Sequence, residues 1–168
     1  LESGQGIILL TACALVAYFT GNSWLSVIAF CMVLALLAFL FYNFYPARVF
    51  PGDSLTYAVG GLIAIMAILG NFERIVVFFF IPYIIETILK LRGKLVKQSF
   101  GKILHDGSLG LRYEKIYGLE HFSIFILNKL GLKPTEKKII FSLWIFQIVI
   151  IITGFIIFRE GIFRYGNK

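Results

Sequence analysis

Residues 24–42 read WLSVIAFCMVLALLAFLFY, and no charged side chain interrupts this apolar stretch. A helix rises about 1.5 Å per residue and the hydrocarbon core of a bilayer is about 30 Å thick, so roughly 20 apolar residues cross it. The stretch therefore predicts a membrane-spanning helix. Four further apolar stretches approach this length: 6–20, 54–70, 75–91 and 139–158.

The composition of the whole chain agrees with these segments. Of the 168 residues, 59% are hydrophobic and 17% are aromatic. Such values are typical of a membrane protein with aromatic residues at the membrane boundaries rather than of a soluble domain. The sequence predicts an all-α fold, a polytopic membrane helix bundle with about five transmembrane helices. Cys13 and Cys31 lie in apolar segments and are expected to be packing residues.

The positive charge is concentrated in one long segment. The net charge is +7, and residues 90–138 carry eleven Lys or Arg side chains against four acidic ones. By the positive-inside rule the loop 91–138 is predicted to be cytoplasmic, and counting back through the spans places residues 43–53 on the same side. Within the loop, the spacing of apolar residues predicts one short amphipathic helix at the membrane surface, with an apolar face of Leu119, Phe122, Ile126 and Leu130.

A polar loop separates the second and third apolar stretches. Residues 43–53 read NFYPARVFPGD. Pro46 and Pro51 prevent a helix from running through, and Gly52 is expected to let the backbone turn. Asp53 then stands at the head of the next apolar stretch. An acid in this position either caps the helix or binds a cation such as a divalent metal.

This loop resembles the Asn-x-x-Pro-(Ala/Ser)-x-x-Phe-x-Gly-Asp segment of the polyprenyl-phosphate N-acetylhexosamine-1-phosphate transferases. The matching residues are Asn43, Pro46, Ala47, Phe50, Gly52 and Asp53. The opening LESGQG resembles the tail of a second family segment, Asn-Gly-(Leu/Val/Ile)-Glu-x-Gly-Gln. The family's adjacent-Asp motif and metal-binding Asn would lie before Leu1. The resemblance therefore implies that residues 1–168 are the C-terminal half of one integral-membrane transferase domain.

The resemblance is closest to the dolichyl-phosphate type of the family, including its archaeal relatives. It implies transfer of N-acetylglucosamine-1-phosphate from UDP-N-acetylglucosamine to a polyprenyl phosphate, with release of UMP and with Mg²⁺ as cofactor. This reaction is the first step of lipid-linked oligosaccharide assembly. The chain lacks the His cluster of the peptidoglycan enzymes, which argues against a muramoyl-pentapeptide donor.

The expected partners follow from the same resemblance. They are the UDP-sugar, the polyprenyl phosphate lipid, the membrane and the N-terminal half of the same enzyme; a homodimer is compatible with the sequence, and no nucleic acid is expected. The implied location is the cell membrane or the endoplasmic reticulum membrane, with the active site facing the cytoplasm. A transporter or a structural membrane subunit is the alternative, and it explains the spans and the basic loop but not the spacing within residues 43–53.

Within the family pattern, Asp53 is a catalytic residue and a ligand of Mg²⁺. Asn43 either satisfies the last carbonyls of the second span or contributes its amide to the nucleotide pocket. Phe50 either marks the membrane interface or, by the resemblance, stacks on the uracil base. Glu2 belongs to the opening segment and is implied to line the nucleotide pocket.

The basic loop supplies the remaining candidates. Lys97 and Lys102 are predicted to be catalytic counter-charges for a diphosphate, and Ser99 and His105 to bind substrate. The alternative is a solvated face attracted to anionic lipid. Relatives carry a His- or Arg-rich motif in this loop, and this chain departs from it.

Glu86 lies inside the fourth apolar stretch, one helical turn before Lys90. An acid within a membrane segment is a functional candidate by default. An i,i+4 pair with Lys90 explains it at least as well, so Glu86 is left out of the catalytic set.

Overall fold

The computed structural model of the protein describes residues 1–94, 96, 101–104, 108–113 and 115–163. The described elements are helices apart from one short hairpin, in the order α1 Glu2–Phe19, α2 Ser23–Asn43, α3 Asp53–Gly70, α4 Glu73–Phe79, α5 Ile81–Arg92, β1 Lys102–Ile103, β2 Leu109–Gly110, α6 Leu119–Lys129, α7 Glu136–Ile157 and α8 Arg159–Phe163. The predicted all-α class is confirmed. The chain divides into two compact units, the first formed by residues 1–79 and 147 onward and the second by residues 80–146.

Helices α1, α2, α3 and α7 are long and apolar enough to cross a membrane. They coincide with the first, second, third and fifth predicted spans. The first helix begins at Glu2 rather than at Gly6, and the last begins at Glu136 rather than at Ile139. These helices confirm the predicted polytopic membrane helix bundle.

The fourth predicted span is not one continuous helix. Residues 75–91 are divided between α4, which ends at Phe79, and α5, which begins at Ile81. Pro82, in the first turn of α5, has no N–H to donate, and its ring would collide with the carbonyl of Phe78 four residues earlier. Among the described residues, four of the predicted spans are therefore single long helices, and the fourth predicted span is a helical segment interrupted at Phe80.

In the first unit, a side chain of α7 hydrogen bonds to the last residue of α4. Gln147 is fully buried, and its Nε2 donates a hydrogen bond of 2.9 Å to the carbonyl of Phe79. The two helices approach closely, since a Cβ on Gly154 would lie 2.6 Å from a ring atom of Phe79. A buried carbonyl without a donor is costly, so this bond stabilises the interruption of the helix.

The opening segment of the chain lies in the core of the first unit. Ser3, Gly4, Gln5 and Gly6 are all buried in the first turns of α1. A Cβ on Gly6 would lie 3.4 Å from side-chain atoms of both α2 and α3, at Leu36 and Val59. The small residue therefore allows α1 to pack closely against both neighbouring helices.

The second unit contains α5, the hairpin, α6 and the first part of α7. Strand β1 pairs antiparallel with β2. The N–H of Leu109 donates to the carbonyl of Pro134 at 2.8 Å, and the hydroxyls of Ser123 and Ser142 are hydrogen bonded to each other. The hairpin and α6 are therefore both attached to the segment at the start of α7.

Helix α6, Leu119–Lys129, confirms the predicted short helix. It is followed by Gly131, whose φ of 69° is the left-handed conformation that often ends helices. The contact of its predicted apolar face with the membrane surface stays a prediction. Of this face, Leu119 is buried within the protein, while Phe122 and Leu130 are 45% and 67% exposed. Against the rest of the second unit the helix buries a side that includes His121, Ser123, Ile124 and Leu127.

Candidate active site

The loop between α2 and α3 is held closed by backbone hydrogen bonds. The carbonyl of Tyr42 accepts from the N–H of Arg48 at 2.9 Å and from the N–H of Val49 at 3.3 Å. These bonds fold residues 43–49 back onto the end of α2. The chain then continues through Phe50 and Pro51 to the start of α3.

Asn43 joins this loop to the first turn of α1. Its Oδ1 accepts a hydrogen bond from the Ser3 hydroxyl at 2.7 Å, and its Nδ2 donates to the carbonyl of Val49 at 2.8 Å. The side chain therefore connects two segments that are 40 residues apart in sequence. These bonds assign Asn43 a role in positioning the loop, which neither of the two interpretations of its sequence position included. Its contact with a nucleotide stays a prediction.

Asp53 is the first residue of α3 and is exposed to solvent. The N-cap of the helix is Gly52, and no side chain caps it. Within the described part of the chain, no hydrogen bond or ion pair of the Asp53 carboxylate is found, so the side chain does not act as the helix cap. An exposed carboxylate beside the positive end of a helix dipole remains able to bind a cation.

Gly52 does not need the conformational freedom that the sequence suggested. Its φ of −103° and ψ of 179° describe an extended backbone that other residues also adopt. No neighbouring atom lies within 4 Å of the position that a Cβ would occupy. The turn is produced instead by the bonds to Tyr42 and by Asn43.

Glu2 and Phe50 are exposed at the same end of the first unit as Asn43. Glu2 precedes Ser3, which bonds Asn43, and Phe50 follows Val49, which also bonds Asn43. The ring of Phe50 is 78% exposed. The structure therefore brings together the residues of the two segments that carry the family resemblance, with Asp53 at the end of the same loop.

The basic loop is only partly described. Lys102 lies on β1, is exposed, and is paired in register with Gly110 of β2. Lys97, Ser99 and His105 lie outside the described residues. Among the residues that are described, no group of three or more His, Cys, Asp or Glu side chains could hold a metal ion.

Glu86 has a contact that the sequence did not reveal. The predicted pair with Lys90 is confirmed, with 3.3 Å between Oε1 and Nζ. The second carboxylate oxygen, Oε2, accepts a hydrogen bond of 2.6 Å from the N–H of Leu119, the first residue of α6. In the sequence, Gly118 is the one residue that indicates such a contact. A helix preceded by glycine lacks a side-chain cap of its own, so its first N–H groups need an acceptor from elsewhere.

Glu120 follows Leu119 in the first turn of α6. Burial raises the pKa of Glu120 to about 7, and the negative charge of Glu86 adds to this rise while Lys90 opposes it. This carboxyl group is therefore partly protonated near neutral pH, in contrast to an ordinary surface glutamate.

Residues 1–71 match the family model of glycosyl transferase family 4. This part of the chain is therefore similar to the members of that family.

Two archaeal relatives extend the match to most of the chain. A protein of Saccharolobus solfataricus is 37% identical over 155 residues, which cover 89% of this chain and 46% of the relative. A protein of Sulfolobus acidocaldarius is 32% identical over 151 residues, which cover 89% of this chain and 44% of the relative. Both are provisionally named UDP-N-acetylglucosamine–dolichyl-phosphate N-acetylglucosaminephosphotransferase.

A bacterial relative matches a shorter part. The phospho-N-acetylmuramoyl-pentapeptide-transferase of Staphylococcus carnosus is 36% identical over 104 residues, which cover 57% of this chain and 32% of the relative. The chain thus spans less than half the length of these curated relatives. No solved structure matches it.

Proposed function

We propose that the protein containing this chain transfers N-acetylglucosamine-1-phosphate from UDP-N-acetylglucosamine to a polyprenyl phosphate of the dolichyl type and releases UMP. The observation that carries the proposal is the Ser3–Asn43–Val49 connection, which joins the two family segments at one end of the first unit. The names of the two archaeal relatives support this donor and acceptor.

The reaction exchanges one phosphorus–oxygen bond for another. An oxygen of the lipid phosphate attacks the β-phosphorus of the UDP-sugar, the bond from this phosphorus to the bridging oxygen breaks, and that oxygen leaves with UMP. The product is a polyprenyl diphosphate that carries the sugar. Negative charge accumulates on the transferring group, so the protein contributes mainly by positioning and by supplying positive charge.

Asp53 is proposed as a ligand of Mg²⁺. Its carboxylate is exposed and lies in the first turn of α3. Mg²⁺ commonly uses one or two protein carboxylates and completes its octahedral shell with water and phosphate oxygens, so a single free carboxylate fits this ion. When bound, the ion would neutralise charge on the pyrophosphate.

Other residues are proposed to bind the substrates. The exposed ring of Phe50 offers a face on which uracil can stack. Asn43 holds the loop that carries this ring, and Glu2 is proposed to line the nucleotide pocket. Lys102, exposed on β1, is proposed to contact a phosphate group, as the sequence predicted.

We further propose that the loop 43–53 and the basic segment face the cytoplasm. The excess of Lys and Arg between residues 90 and 138 supports this orientation.

A transfer assay on the full-length protein tests the proposed function. Membranes containing it are incubated with radiolabelled UDP-N-acetylglucosamine, a polyprenyl phosphate and Mg²⁺, and the labelled lipid is extracted. We expect a lipid-linked sugar diphosphate and equimolar UMP. Movement of the sugar across the membrane without a covalent lipid product would support the transporter alternative. Product from a muramoyl-pentapeptide donor alone would retain the family and overturn the sugar assignment.

The Asp53→Asn variant tests the proposed metal ligand. Because Asp53 is exposed and caps nothing, we expect a stability loss below about 1 kcal/mol, from the helix dipole alone. The transfer rate should fall by about a hundredfold or more, as is typical when a group stabilising the transition-state charge is lost.

The matched control for this variant is Glu73→Gln. Glu73 is also an exposed acid in the first turn of a helix, α4, outside the proposed site. The control should retain full activity. Near wild-type transfer by Asp53→Asn, with normal expression and Mg²⁺ dependence, would exclude Asp53 as a ligand.

A further inference from the structure

The start of α6 depends on a carboxylate from another helix. The first N–H groups of a helix have no acceptor within that helix, and the N-cap residue Gly118 has no side chain that could supply one. Oε2 of Glu86 accepts from the N–H of Leu119 at 2.6 Å, while Oε1 pairs with Lys90. Glu86 therefore ties α5 to α6 with a charge-assisted hydrogen bond at the positive end of the helix.

Helix α6 in turn determines the position of the hairpin. Ile124 of α6 is fully buried. A Cβ on Gly101 would lie 2.9 Å from Cδ1 of Ile124 and 3.1 Å from the Cβ of Leu109 on β2. Gly101 is therefore enclosed between α6 and the second strand. The next residue is Lys102, whose register partner is Gly110.

These contacts form one continuous path inside the second unit. The path runs from Glu86 through the first residue of α6 to Ile124, and from Ile124 through Gly101 to the backbone of Lys102. A displacement of α6 would reach the hairpin, because closely packed groups transmit small shifts.

We propose that Glu86 is a positioning residue that holds α6, and through it the hairpin, so that Lys102 is presented to the phosphate groups of the substrates. This proposal rests on the proposed function, in which Lys102 contacts phosphate. Glu86 itself touches neither substrate nor metal. The charge of Glu86 serves the helix terminus and Lys90.

The test measures transfer by the full-length protein carrying substitutions at Glu86 and Lys102. Lys102→Gln should lower kcat/KM for the UDP-sugar by about ten- to a hundredfold, the usual effect of one lost charge-assisted hydrogen bond. Glu86→Ala should also lower kcat/KM for the UDP-sugar, by a factor no larger than that of Lys102→Gln. Glu86→Gln should retain most of the activity, because its amide oxygen can still accept from Leu119.

The double variant separates positioning from a general loss of stability. If Glu86 acts through Lys102, then Glu86→Ala combined with Lys102→Gln should be no worse than Lys102→Gln alone. If kcat/KM of the double variant falls by the product of the two single-variant factors, the proposal is overturned. Wild-type kcat/KM in a folded Glu86→Ala protein would also overturn it. Lys90→Gln is the control, because it removes the ion pair and keeps the bond to Leu119.

A second variant covers the case in which Glu86→Ala does not fold. Gly101→Ala changes no charge and places a Cβ 2.9 Å from Cδ1 of Ile124 and 3.1 Å from the Cβ of Leu109. It should therefore disturb the packing of the hairpin against α6, lower the same kinetic parameter and again not add to Lys102→Gln. Additive losses with this variant would also overturn the proposal.

Hydrogen exchange provides a readout that does not require the transfer reaction. Glu86→Ala should increase exchange at the start of α6 and in the hairpin, and Glu86→Gln should not. Unchanged exchange would refute the positioning role. If the wild-type protein forms no lipid-linked sugar, the proposed function fails, and the exchange result still decides whether Glu86 positions the hairpin.

Discussion

Glu120 should make the second unit less stable as the pH rises through the weakly acidic range. Burial, followed by the charge of Glu86, raises its pKa from 4.5 to about 7. At a pH between these two pKa values, Glu120 has released its proton in the unfolded chain and still holds it in the folded chain. The unfolded state then binds fewer protons, so the free energy of unfolding falls with pH. Above about pH 7 both states are ionised, and the penalty is constant.

The size of this penalty can be estimated from the two pKa values. One pKa unit corresponds to about 1.4 kcal/mol, so a rise from 4.5 to about 7 gives at most about 3 kcal/mol. Glu120 is partly exposed, and solvent screening reduces this to about 1–2 kcal/mol. The change Glu120→Gln also loses about 0.3–1 kcal/mol of favourable interaction with the helix terminus. The expected net gain above neutral pH is therefore about 1 kcal/mol.

The assay is hydrogen exchange of the α6 amides together with thermal denaturation of the purified full-length protein. At about pH 8 Glu120→Gln should be more stable than the wild type, and at about pH 5 the two should be nearly equal. Glu73→Gln, the exposed first-turn acid of α4, should show no such pH dependence. Equal stability of Glu120→Gln and wild type at the higher pH, or the same gain at both pH values, would refute the reasoning.

Two further predictions concern the proposed site. Ser3→Ala and Asn43→Ala should each destabilise the protein. A double-mutant cycle should give a coupling free energy of about 0.5–1.5 kcal/mol, the value of one hydrogen bond. Additive effects would show that the hydrogen bond of 2.7 Å between these side chains contributes nothing to stability. In a background with Cys31→Ala, a cysteine at Ser54 should react with a membrane-impermeant thiol reagent from the cytoplasmic side and one at Ser23 from the opposite side. Labelling of both positions from one side would contradict the proposed orientation.

Local patterns in the sequence predicted the membrane class and much of the candidate site. Uninterrupted apolar stretches predicted the helices α1, α2, α3 and α7, because length and lack of charge suffice to identify a span. The resemblance of the loop 43–53 pointed to Asn43, Phe50 and Asp53 without any knowledge of their contacts. The short helix α6 was predicted from its apolar spacing.

The tertiary structure decided which of several locally acceptable roles each residue takes. Asn43 could have satisfied the end of its own helix, and it instead bonds Ser3, 40 residues earlier. Glu86 could have paired with Lys90 alone, and it also holds the N–H of Leu119, 33 residues later. The sequence predicted the side of α6 that carries Phe122, whereas the side that carries Ile124 and packs inside the second unit became visible only in the structure. Hydrophobic periodicity indicates that a helix has an apolar side. The partner of that side, and the partner of each polar group beside it, depend on contacts between distant segments, which form only when the chain is folded.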